Sequence, residues 1–144
     1  MHAIMIGLLL MIIYASSATS EKNGRDSTCG VVSERAAMEQ MCYLLEKSIV
    51  SYKELLLICP DDSLSKHQMG ISYILLDNSE VGLKYMQEAI DDLKAKKNID
   101  LAVKLEESTR NWEANLPRIT DKGVKFARER MQSTEECRKF ILKK

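Results

Sequence analysis

The chain has 144 residues and carries 21 basic and 21 acidic side chains, so it is formally neutral at pH 7. That balance argues against nucleic acid as a partner, since neutralising phosphates takes a basic surplus or a clear basic stripe. The length suits one domain with one core.

The first element is an apolar run from Ala3 to Tyr14, followed by small residues, with Glu21 as the first charge. About a dozen apolar residues fall short of a hydrocarbon core roughly 30 Å thick. With small residues behind them they read as a secretory signal peptide, although no lysine or arginine precedes the run. Residues 1–20 are assigned to that signal, with cleavage after Ala18 or Ser20, and residues 21–144 to the mature domain. No second apolar stretch follows, so no membrane span is expected. No Asn-x-Ser/Thr sequon occurs either.

From Met38 onward apolar residues fall at Met38, Cys42, Leu45, Ile49, Tyr52, Leu56 and Cys59, the steps of one long helix. Pro60 ends it, and Ser63 is placed to cap the next helix. The second stripe is Leu64, Met69, Ile71, Ile74 and Leu75, weakened after residue 76 by "DNSEVG". A third runs Val81, Tyr85, Ala89 and Leu93, widened by Met86 and Ile90. "KKN" breaks it, and Asn98 caps a helix bearing Ile99, Ala102, Leu105, Thr109 and Trp112 that stops before Pro117. The last segment shows Thr120, Val124, Ala127, Met131, Thr134, Arg138 and Ile141, the lone arginine falling near the exposed end. Period-two alternation is nowhere sustained, so strands are not expected. The pattern predicts an all-α fold, an up-and-down four-helix bundle with short connections.

Four cysteines, Cys29, Cys42, Cys59 and Cys137, read as two disulfides in a secreted chain. A zinc site does not fit, because there is no C-x-x-C pair and His67 is the only histidine after the signal. Cys42 and Cys59 lie on one predicted helix, roughly 25 Å apart at 1.5 Å per residue. A disulfide needs about 4.4–6.8 Å between Cα atoms, so that pair and its complement drop out. Two pairings remain: 29–42 with 59–137, or 29–59 with 42–137. The first is preferred, with the chain folding back near Gly30 or Ser33 into a short N-terminal hairpin.

Catalytic constellations are missing from the sequence. His67 sits alone in a polar "SKHQ" context, and Asp61–Asp62, Asp91–Asp92 and Glu106–Glu107 are sequence neighbours that point different ways on a helix. There is no glycine-rich phosphate loop. The chain reads as a binder with no cofactor, and not as an enzyme. Met38, Met41, Met69, Met86 and Met131 read as core, as does Trp112. Asp92 and Lys96 have the spacing of a surface ion pair.

The stretch "QEAIDDLKAKKNIDLAVKLEES" resembles the plant invertase inhibitor and pectin methylesterase inhibitor family. The matching positions are Gln87, Glu88, Ala89, Ile90 and Leu93, the turn from Lys94 to Asn98, and Leu101 to Ser108. "LPRITDKGVKFARERM" is similar to the family's final helix, and "STCGVVSERAAMEQMC" to its first cysteine pair. The resemblance implies a four-helix bundle preceded by a helical hairpin, and it favours Cys29–Cys42. The family's second disulfide joins consecutive bundle helices, where this chain has positions near Leu75 and Trp112. Asn98, Ile99 and Asp100 also replace the Pro-Lys-Phe common in invertase inhibitors.

The resemblance thus implies a secreted inhibitor in the plant cell wall. It would occlude the active-site cleft of a pectin methylesterase, ahead of an acid invertase, and the chain is expected as a monomer or in a 1:1 complex. Lys84, Glu88, Asp91, Asp92 and Lys96 are its expected contacts, chosen for position on the paired helices. The alternative is a cytokine-like helical ligand for a cell-surface receptor.

Overall fold

A computed structural model describes residues 27–143; the expected signal peptide, residues 1–20, lies outside them. Seven α-helices follow in order: α1 (Ser27–Met41), α2 (Leu45–Ile58), α3 (Ser63–Leu75), α4 (Ser79–Ala95), α5 (Ile99–Asn115), α6 (Asp121–Gln132) and α7 (Glu135–Leu142). A 3₁₀ turn, Leu116–Arg118, joins α5 to α6. The described residues contain no strand, and the fold is all-α with two disulfides. None of their helices is long and apolar enough to cross a membrane.

The long helix expected from Met38 to Cys59 is two helices. The chain reverses at Cys42–Leu44, where Tyr43 takes a left-handed φ of 56°. Leu44 N–H donates to Glu39 O at 2.8 Å and Tyr43 N–H to Gln40 O at 3.0 Å, closing a Schellman stop. The same paired bonds recur at Asp77–Asn78 and Lys97–Asn98, with Asp77 and Lys97 left-handed in turn. None of the three is glycine. At Tyr43 the ring is buried beside Leu45 and Ile71, which offsets a left-handed cost of about 1–2 kcal/mol.

This reversal corrects the preferred disulfide pairing. Residues 27–41 form one unbroken helix, so Cys29 is held a helix length from Cys42, and the hook near Gly30 and Ser33 does not form. Antiparallel α1 and α2 instead bring the start of one beside the end of the other, and Cys29 bonds Cys59 with Cα atoms 6.4 Å apart. Cys42, on the turn, bonds Cys137 on α7 at 5.5 Å. Pairings 29–42 and 59–137 are therefore excluded. The cap of α3 also moves by one: the Asp62 carboxylate accepts from Ser65 N–H at 3.0 Å, and Ser63 is the first helical residue.

Packing runs chiefly between sequence neighbours. One core cluster joins Cys29, Val32 and Ala36 of α1 to Ile49, Tyr52 and Leu55 of α2 and Met69 of α3. A second gathers Tyr43, Leu45, Ile71, Ile74, Leu75 and Met86, with Ala127 of α6 laid over them. The third joins Ala89, Ile90 and Leu93 of α4 to Ala102 and Leu105 of α5. The helices α3 and α4 touch through bare backbone. A Cβ on Gly70 would stand 2.5 Å from Gly82 O, and one on Gly82 would stand 2.5 Å from Gly70 O. Only glycine allows that approach.

Hairpins α1–α2 and α3–α4 share a 34-residue helix–turn–helix spacing. Tyr43 and Asp77 are 34 residues apart, and the same offset carries Ala36 and Ser48 onto Gly70 and Gly82, all four buried small residues. A 34-residue helix–turn–helix period is that of stacked helical repeats, in which each unit buries its face on its neighbour. Between the units runs a satisfied polar network. Gln40 Nε2 donates to Gln68 O (2.6 Å) and Ser72 Oγ (2.8 Å), Ser72 and Ser48 hydroxyls meet at 2.8 Å, and Ser48 Oγ donates to Leu45 O at 2.7 Å.

Candidate docking surface

The residues expected to meet a partner lie along α4 and its C-terminal turn, and several are engaged within the fold. Asp92 accepts from Lys66 of α3 at 2.6 Å, and Lys96 pairs with Asp61 at 3.0 Å. The expected Asp92–Lys96 pair is thus replaced by two longer-range ones that tie α4 to α3 and its leading turn. Asp91 accepts from Gln87 at 2.9 Å, one turn away. Lys84 is exposed and Glu88 half-buried on the same side of α4. A further pair, Lys94 with Glu106, staples α4 to α5. This region is predominantly stitching between helices.

His67 is fully buried between α3 and α5, despite its polar sequence context. Its Nε2 lies 3.3 Å from Thr109 Oγ1, which itself donates to Leu105 O at 2.8 Å, so the imidazole nitrogen is the donor. Burial pushes its pKa down to about 4, opposed in part by the Leu105 carbonyl. No nucleophile or carboxylate converges on it; its neighbours are a hydroxyl and a backbone carbonyl. Among the described residues no cluster of histidine, cysteine, aspartate and glutamate has the geometry to hold a metal ion.

An open surface lies on the first hairpin. Between α1 and α2 lies a shallow cleft of about 430 Å³, bordered by Arg35, Glu39, Lys47, Val50, Ser51 and Glu54. Arg35 bridges to Glu54 across the rim at 2.5 Å. Glu39, only 9% exposed, forms the floor, where Ser51 Oγ donates to its carboxylate at 2.6 Å. On the same hairpin Val31 and Val50 are 66% exposed and Leu57 86% exposed. Sequence reasoning missed this surface. Its signal was available in Val50 and Leu57, which fall off the buried stripe of α2.

No family model, curated protein or solved structure matches the chain.

Proposed function

We propose that the chain is a secreted protein that acts by docking on another protein and blocking it. The observation that carries this reading is the exposed apolar set Val31, Val50 and Leu57 on a hairpin locked at its open end by Cys29–Cys59. Scattered apolar side chains need no explanation alone, but on a preorganised helix pair they lower the ordering cost of binding. The target class follows from the sequence resemblance: a cell-wall carbohydrate-active enzyme, pectin methylesterase ahead of acid invertase. Occlusion of the substrate cleft is the mechanism, with charged rim residues setting register. The bonds Cys29–Cys59 and Cys42–Cys137 differ from the pairing that family implies.

The test is a titration of the oxidised mature chain against a plant pectin methylesterase at pH 6, with an acid invertase in parallel. Stoichiometric loss of esterase activity is the expected result. No effect on either enzyme, from a chain whose circular dichroism is helical, would overturn the inhibitor reading in favour of a receptor ligand.

A further inference from the structure

The 34-residue repeat identifies what the α1–α2 cleft is. Moving along the chain by one period carries Arg35, Glu39 and Ser51 onto Met69, Tyr73 and Tyr85. In the second hairpin those three side chains form the face on which the first hairpin rests: all pack against the core of α1 and α2. Tyr73 and Tyr85 stack there with ring centres 5.6 Å apart, in the place where Glu39 and Ser51 share a hydrogen bond. The helix that covers this face is α2, and its Lys53 ammonium stands 5.8 Å from the centre of the Tyr73 ring. The cleft is therefore the corresponding stacking face of the first hairpin, and among the described residues no other helix covers it.

Its chemistry differs from its counterpart in one respect that selects an occupant. The aromatic pair is replaced by a carboxylate, and among the described residues no cation pairs with Glu39. A carboxylate this buried gains most from a counter-charge delivered by whatever closes the cleft. Glu46 adds a second negative charge at the border, Lys47 one positive, and the Arg35–Glu54 pair is internally neutral. Val50 supplies the apolar seat beside them.

We propose that this cleft receives a helix of a partner protein, in the manner that α3–α4 receives α2, with a lysine or arginine of that helix paired to Glu39 and its apolar side chains on Val50. The inference deepens the protein-docking reading and rests on it: it names the surface and the partner's chemistry. A polar face that merely keeps a terminal repeat soluble is the competing account.

The experiment uses the oxidised mature chain, labelled with ¹⁵N, and two synthetic amphipathic helical peptides of leucine, alanine and glutamine. One carries a single central lysine and the other a glutamate at that position. The lysine peptide should move the amide signals of Arg35, Glu39, Val50, Ser51 and Glu54, and the glutamate peptide should not. Glu39→Gln keeps the bond from Ser51 and should weaken binding tenfold or more. Val50→Asn, which removes the apolar seat at a 66% exposed position without adding charge, should weaken it by a similar factor. Equal binding of the two peptides, no binding of either, or shifts confined to other helices would overturn the proposal. The two variants in the esterase titration separate the claims: inhibition unchanged by both removes the cleft and leaves the inhibitor reading standing. Peptide binding at the cleft without any inhibition does the reverse.

Discussion

The hairpin α3–α4 and the C-terminal pair α6–α7 are helical to similar degrees and are held in opposite ways. In α3–α4 the backbones touch at Gly70 and Gly82, and Met69, Ile71, Ile74, Met86, Ala89 and Ile90 are all buried. In α6 only Ala127 is buried and in α7 only Cys137, while Phe126 and Leu142 are more than half exposed. What anchors α6 and α7 is the Cys42–Cys137 bond, a 3.2 Å hydrogen bond from Gln132 Nε2 to Cys42 O, and partial cover by Val124 and Met131. Helix formation is local, but holding a helix in place takes either buried area or a covalent bond. This chain uses one for its middle and the other for its end.

The largest effect should come from breaking the bond. Replacing Cys42 and Cys137 by serine opens a closure spanning 95 residues, worth about 4–5 kcal/mol in the chain-entropy account. The same change at Cys29 and Cys59, with a separation of 30, should cost about 3.5 kcal/mol. Denaturant unfolding of the two double variants measures both, and a reversed order would break the comparison.

Next comes His67, which probes the packed side. Its folded pKa near 4 lies below the unfolded value of about 6.5, so the unfolded chain binds more protons between those values. The stability contribution is complete above about pH 6.5, falls as pH drops toward 4, and the loss levels off at about 3 kcal/mol. His67→Gln should flatten that segment of the stability–pH curve, as read from denaturant midpoints at pH 4 to 7. An unchanged slope would remove His67 from the account.

Gly70→Ala should cost about 1–3 kcal/mol, because its methyl meets Gly82 O and Met86 Cγ, the latter at 2.8 Å. Gly30→Ala, in α1 with nothing within 4 Å of the added carbon, should instead gain up to about 1 kcal/mol from helix propensity. Opposite signs in thermal melts sharpen the claim that close approach, and not glycine as such, defines α3–α4.

The stripes that build the core were legible: Leu45, Ile49 and Tyr52, then Ile71 and Ile74, then Ala89 and Leu93, are buried as their spacing predicts. The reversal at Tyr43 was not, because "MCYLLEK" has no glycine, proline, asparagine or aspartate to mark it. Its stop is imposed by packing, and the long-helix reading and the disulfide preference failed together for that one reason. The repeat was hidden for a related reason. It preserves size at Ala36/Gly70 and Ser48/Gly82 while exchanging chemistry at Glu39/Tyr73, so identity along the chain does not reveal it. Asp92 and Lys96 had the spacing of partners, but the chain supplies Lys66 and Asp61 from elsewhere, and spacing carries no information about those.

The most direct test of the contrast is amide hydrogen exchange on the oxidised protein and on the Cys42→Ser/Cys137→Ser variant, under conditions where both are folded. Protection should be kept across α3 and α4 and lost across α6 and α7 in the variant. Retained protection in α6–α7, or a parallel loss in α3–α4, would contradict the division between a hairpin held by packing and a covalently held end.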